Sequence, residues 1–329
     1  MRDATDFLRA AGFGGARLAP LAADASYRRY ARLHGGPRPA LLMDAPPPED
    51  VRPFLAVARH IAGIGLSAPE IVAADEAQGF LLLEDFGDAT HAALLDAGAD
   101  PMPLYLEAAE AMAALHAAPP PGFLPAWDGA AMARATAATF LDWWWPAATG
   151  TDASDATRAE FDAVLRTMLA PFAEAGCFVH RDFFPANLMR LESRHGPRRT
   201  GLIDFQDAAR GSPAYDLVSL VEDARRDVAP EVRAAAIVRY LDVRGDMDRE
   251  AFAAAMAACA AQRHLRVAAL WVRLARRDAK PRYLVHGPRC WRLLDRALAH
   301  PAARPLRDFL DTHVPRALRR NPIAVTEPA

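Results

Sequence analysis

The sequence predicts an α+β protein: a small mixed β lobe, residues 1–85, followed by a larger and mostly helical lobe, residues 86–329. Three observations predict it. Up to residue 85 the chain alternates short apolar runs with Gly and Pro turns, the pattern of strands and hairpins. Beyond Glu84-Asp85-Phe86-Gly87 the apolar residues recur at helical spacing over long stretches. A chain of 329 residues with 52% apolar composition also exceeds what one small core needs, which favours two lobes.

Residues 1–16 read as a short amphipathic helix, with Phe7, Leu8 and Ala11 on one face and Gly12, Gly14 and Gly15 ending it. LAPLAADASYRRYARLHG reads as strand, small-residue turn and strand, and Gly35-Gly36-Pro37 turns the chain into a third strand, ALLMDA. Residues 49–63 have helical spacing through Phe54, Leu55, Ala58 and Ile61, with acids in the first turn and Gly63 and Gly65 as the stop. Two short apolar strands follow, at 69–72 and 79–83. Helical patterns then occupy 101–117, 130–145, 155–175, 213–228, 230–243, 248–278 and 286–299. Strand-like interruptions fall at 177–179, 187–189 and 201–204. In Trp143-Trp144-Trp145 three consecutive residues point around a helix, so one or two of them belong to the core.

Composition narrows the function. A net charge of −2 lacks the electrostatic footprint of a general nucleic-acid binder. Cys177, Cys259 and Cys290 form neither a CxxC pair nor a zinc spacing, which fits a reducing cytoplasm. The first residues carry acids, and no stretch supplies eighteen uncharged apolar residues, so export and membrane spanning are not expected. Of 39 basic residues only Lys280 is lysine, so the loss of a lysine elsewhere says little about lost function.

The chemistry is concentrated in Val179-His180-Arg181-Asp182-Phe183-Phe184-Pro185-Ala186-Asn187 and in Ile203-Asp204-Phe205-Gln206. Phosphoryl transfer needs an acceptor beside the attacking hydroxyl, and oxygen ligands that hold Mg²⁺ against nucleotide phosphates. The HRDxxxxN spacing offers both: Asp182 to accept or orient the hydroxyl proton, and the Asn187 amide oxygen to reach a metal. Asp204, ending an apolar strand, is placed to bridge metal ions. All three are present, which argues against a non-catalytic nucleotide-binding regulatory module.

On these motifs the chain resembles the aminoglycoside phosphotransferase and choline kinase superfamily, a branch of the protein-kinase-like two-lobe fold. The resemblance implies ATP and Mg²⁺ as cofactors. It implies that His180 and Arg181 shape the catalytic loop, and that Asp216, in Gly211-Ser212-Pro213-Ala214-Tyr215-Asp216, braces it from below. It places a phosphate-covering turn at Asp24-Ala25-Ser26, and the interlobe hinge, whose backbone would bind adenine, at Glu84 and Asp85. Where a protein kinase carries a third-strand lysine, Ala40-Leu41-Leu42-Met43-Asp44 has none. Arg28 and Arg29 are the candidates for the missing charge, and strand alternation lets only one of them face the nucleotide.

Several segments are similar to the bacterial N-acetylmuramate/N-acetylglucosamine anomeric kinases: Asp24 to Tyr30, Leu42 to Pro46, Phe80 to Phe86, Gln262 to Val267 and Leu274 to Leu284. That likeness implies a cytoplasmic enzyme of peptidoglycan recycling that phosphorylates the C1 hydroxyl of an N-acetylated amino sugar. The many arginines of the helical lobe, Arg225, Arg226, Arg263, Arg266, Arg273, Arg276 and Arg277, favour a neutral or anionic sugar over a polycation. Glu222, Asp223, Arg263 and Lys280 are the substrate-contact candidates. A kinase of aminoglycosides, choline or another small alcohol stays open at this point. So do the preferred sugar, the choice of ATP or GTP, and the oligomeric state.

Overall fold

The computed structural model describes residues 1–21, 27–172, 176–245 and 247–323. Its contacts group the chain into two compact units, Met1–Leu115 with Pro185–Ala208, and His116–Phe184 with Ala209–Ala329. The first unit contains the whole of the expected 1–85 lobe.

The chain opens with α1 (Thr5–Ala10), then β1 (Arg17–Pro20), β2 (Arg29–His34) and β3 (Ala40–Asp44). Next come α2 (Arg52–Gly63), β4 (Ile71–Asp75) and β5 (Phe80–Glu84). The five strands form one sheet in the order β1-β2-β3-β5-β4, antiparallel at every pairing. β3 and β5 are central and apolar because both their faces are covered, as their burial shows. On one face Leu8 and Phe13 pack with Leu33, Leu42, Phe80 and Leu82. Gly79 turns the chain between β4 and β5 at φ +73, and a Cβ there would lie 2.3 Å from the Ala45 carbonyl oxygen, so only glycine fits. α2 starts with Pro53 in its first turn and buries Phe54, Leu55, Val57, Ala58 and Ile61. Past the sheet come α3 (His91–Asp96), capped by the Thr90 hydroxyl, and α4 (Pro101–Ala117).

The second unit begins within the last turn of α4, at His116. It continues with β6 (Ala126–Trp127), α5 (Gly129–Thr139), α6 (Trp145–Thr149), α7 (Asp155–Leu169) and β7 (Cys177–Val179). The sequence suggests one helix over 130–145, but the backbone widens into a π turn at Phe140–Trp144. There Phe140 stacks on Trp144, and Trp144 and Trp145 are buried, as the triple-Trp argument expects. After β7 the chain contributes β8 (Leu188–Arg190) and β9 (Thr200–Leu202), a two-stranded hairpin, to the first unit.

It then completes the second unit with β10 (Ala209–Gly211), α8 (Ala214–Val221), α9 (Pro230–Arg244), α10 (Arg249–Arg277), α11 (Gly287–Leu298) and α12 (Arg304–His313). β10 joins β6 and β7 in a three-stranded sheet. α10 is the axis of this unit: the Asp248 carboxylate caps its first turn, and its middle buries a continuous run from Ala258 to Leu265. The helical spacing expected to reach residue 228 stops at Val221, because the next two residues turn their carboxylates inward.

Candidate active site

Asn187 and Asp204 belong to the first unit, one at each end of the β8–β9 hairpin. Asn187 closes the 3-10 turn Pro185–Asn187, and the Ile203 N–H donates to its carbonyl at 3.2 Å, extending the hairpin to the residue before Asp204. The Asn187 Nδ2 donates to one Asp204 carboxylate oxygen at 3.4 Å, and Gln206 Nε2 donates to the other at 2.8 Å. Asp204 sits at φ +61, a conformation that aspartate tolerates better than most side chains. Its successor holds it there: Phe205 is fully buried, with its ring 4.8 Å from that of Phe54 on α2. A second anchor is Ser67, whose carbonyl accepts from the Leu202 N–H at 2.7 Å and whose hydroxyl donates to the Arg198 carbonyl at 2.7 Å. One carboxylate and one amide oxygen suit Mg²⁺, which binds few protein oxygens and fills its shell with phosphate and water.

The same unit places the two candidate arginines differently. Arg28 is mostly buried, and its Nε donates to Glu49 at 2.8 Å, whereas Arg29 is exposed. Tyr30 sits between these charges. Burial pushes its phenol up, Arg28 opposes that, and the Asp204 and Glu49 carboxylates add to the rise. Arg28, Glu49, Tyr30 and Asp204 therefore share one electrostatic environment. Glu49 carries no motif beyond an acid ahead of a helix, and Tyr30 only closes the Asp24 to Tyr30 segment.

Ser26 and the turn Asp24-Ala25-Ser26 lie outside the described residues. Glu84 binds Arg194 through one oxygen and accepts the Glu70 N–H through the other. Asp85 binds Arg32 and accepts the Gly87 N–H at 2.8 Å. Both side chains are thus engaged by neighbours within the first unit.

Asp182 belongs to the second unit, on the loop that leaves β7. Asp216, fully buried on α8, accepts the His180 N–H at 2.6 Å and the Arg181 N–H at 2.8 Å. His116 Nε2 reaches the same carboxylate at 3.3 Å, while its Nδ1 meets the Tyr240 hydroxyl at 2.9 Å. Arg181 takes φ +74, and its guanidinium stacks 4.1 Å over the Trp127 ring. His180 is buried, with its ring edge-on to Phe183. The carboxylate brace and the stacked arginine together over-determine a strained loop. Arg266 on α10 lies in the field of Asp182. Its charged form is disfavoured by burial but favoured more strongly by Tyr215 and Asp182, which raises its pKa.

The other substrate candidates fall in different places. Glu222 is buried and takes His264 Nε2 at 2.8 Å, Arg233 at 2.7 Å and Arg296 at 3.1 Å. Burial pushes its carboxyl up, but the His264 hydrogen bond and the two guanidinium groups outweigh this and hold it well below the usual range. Glu222 also walls a cavity of about 260 Å³ lined by α9, α10 and α11 residues, and Asp182 is not among that lining. Asp223 is buried, and burial raises its pKa against Arg225, Arg263 and Arg226. Arg263 is buried and donates to the Ser219 hydroxyl. Lys280 precedes the 3-10 turn Pro281–His286, where it helps Arg277 and Arg273 hold the Asp278 carboxyl low.

Known proteins resemble most of the chain. The signature of the phosphotransferase enzyme family matches residues 17–253. An N-acetylmuramate/N-acetylglucosamine kinase of Caulobacter vibrioides is 39% identical, over 95% of this chain and 96% of its own. One of the same name from Pseudomonas aeruginosa is 38% identical, over 86% of this chain and 84% of its own. Among solved structures, a choline/ethanolamine kinase family protein from Mesorhizobium loti superposes with a TM-score of 0.61 over 94% of this chain and all of its own. At 16% identity, that match speaks for the fold alone.

Proposed function

The chain belongs to the phosphotransferase enzyme family, and from that premise we propose that it is a kinase moving the γ-phosphoryl group of ATP onto the C1 hydroxyl of N-acetylmuramate or N-acetylglucosamine. The observation that carries the reading is the loop of Asp182, whose two preceding N–H groups are tied to one buried carboxylate. A rigid base is what this reaction asks of the protein, because phosphoryl transfer is catalysed mainly by positioning and charge.

In this reading the Asp182 carboxylate takes the proton of the sugar hydroxyl as its oxygen bonds to the γ-phosphorus. The bond from that phosphorus to the β–γ bridging oxygen breaks, and ADP leaves. Asn187 and Asp204 hold Mg²⁺, which when bound neutralises charge on the phosphates. Arg28, oriented by Glu49, supplies the cation that a third-strand lysine gives in protein kinases. Arg266 sets a buried positive charge in the field of Asp182.

The test is ADP release from the purified chain with ATP and each sugar, read beside the reducing-end reaction of the product. Phosphorylation at C1 blocks ring opening, so saturable release must coincide with loss of the reducing end. Asp182→Asn should lower kcat by about 10²–10⁴-fold, the usual contribution of a positioned general base. Release only with aminoglycosides or choline, or a sugar phosphate that keeps its reducing end, would overturn the assignment.

A further inference from the structure

We propose that Arg225 recognises the lactyl carboxylate that N-acetylmuramate carries and N-acetylglucosamine lacks; the inference rests on the amino-sugar reading above. The two sugars share the acceptor hydroxyl and the acetamido group. The lactyl ether is their difference and brings the only charge, so a residue that tells them apart at neutral pH is a cation within the substrate's reach of Asp182.

Arg225 is built for that task by the residues before it. α8 ends at Val221, and Glu222 adopts φ −133 and ψ 52, which sends its carboxylate into the interior to His264, Arg233 and Arg296. Asp223, also buried, accepts the Arg225 N–H at 2.9 Å and fixes the backbone where that side chain begins. These two acids position Arg225 from below.

The guanidinium then lies 4.5 Å from the ring centre of Phe184 and 5.3 Å from that of Trp271. Phe184 is two residues beyond Asp182, and its N–H donates to the Asp182 carbonyl at 3.1 Å, so Arg225 rests on the loop that presents the base. Two aromatic faces hold a guanidinium by its planes and leave its N–H edges outward, the edges that grip a carboxylate with two parallel bonds. Holding it in advance lowers the entropy lost on binding.

Its neighbours are differently occupied. Arg233 and Arg296 are paired with Glu222, and Arg289 and Arg292 with Asp227. Arg263 is buried on Ser219, and Arg266 bonds the Tyr215 hydroxyl. Arg225 is exposed and makes no ion pair among the described residues.

Steady-state kinetics of the full chain with the two sugars, for the wild type, Arg225→Gln and Arg225→Lys, test this. Arg225→Gln should raise KM for N-acetylmuramate about tenfold or more at unchanged kcat, the mark of lost ground-state binding. Its constants with N-acetylglucosamine should stay within about twofold. Arg225→Lys keeps the charge but not the fork and should fall between. In the wild type, added salt should raise KM for N-acetylmuramate alone, and Arg225→Gln should abolish that dependence. Equal changes with both sugars, or none with either, overturn the role of Arg225. Wild-type ADP release with neither sugar overturns the amino-sugar reading itself.

Discussion

Replacing Asp216 with asparagine isolates the brace under the Asp182 loop. The carboxylate receives the His180 N–H at 2.6 Å, the Arg181 N–H at 2.8 Å and His116 Nε2 at 3.3 Å, inside a fully buried site. Asparagine keeps one acceptor oxygen and sets an NH₂ group where the other stood, so one backbone donor faces another donor. A hydrogen bond to a charged group is worth about 1.5–3 kcal/mol, and a buried donor left unpaired costs about 1–3 kcal/mol. The sum is about 2.5–6 kcal/mol, which brackets the roughly 3–5 kcal/mol lost when one partner is removed from a buried charged network. The loop shifts as well, and a misplacement of about 1 Å can cost about a hundredfold in rate. Urea unfolding read by tryptophan fluorescence, with kcat for the sugar kinase reaction, measures both effects. A variant within about 1 kcal/mol of the wild type, with kcat changed less than twofold, would refute the bracing argument.

Three further outcomes follow from the structure. Arg28→Ala should raise KM for ATP about tenfold while Arg29→Ala stays near the wild type, because Arg28 is paired and sheltered and Arg29 is exposed; nucleotide titrations of both variants decide it. Glu222 is held below its unfolded value, so its contribution to stability is complete above about pH 4.5 and is lost as pH falls toward about 2. Melting temperatures across that window should decline more steeply for the wild type than for Glu222→Gln, and parallel curves would contradict the assignment. Burial pushes the thiols of Cys259 and Cys290 up to about 12 and about 11, while Cys177 is half-buried, so a thiol reagent at neutral pH should label the native chain at Cys177. Peptide mapping of the adduct reads the result, and labelling at the two buried cysteines would show that the core opens.

The sequence by itself determined what depends on local order. Apolar period set the strands of the first unit and the bounds of α4, α9, α10 and α11 to within a residue or so, because amphipathic burial leaves its spacing in the chain. HRDxxxxN and IDFQ named the reaction, since phosphoryl transfer needs those groups at fixed chain spacing. The short helices α3 and α12 and the strands β6 and β10 escaped it. A helix of six residues, as in α3, or a strand of two, as in β6, shows too few periods to separate from a turn.

Tertiary structure decided everything that rests on pairing across distance. Arg28 and Arg29 are equivalent as letters, and only the fold shows that Glu49 packs beside Arg28 while Arg29 stays exposed. Glu222 and Asp223 follow the Asp216 segment on a helical pattern and read as groups that could bond sugar hydroxyls; in the fold His264, Arg233 and Arg296 hold Glu222, and Asp223 accepts the Arg225 N–H. A charge goes where its desolvation is best compensated, and the compensating groups come from helices far away in the chain. The sequence therefore fixes which reactive groups exist, and the packing of α8, α9, α10 and α11 fixes which of them remain available to a substrate.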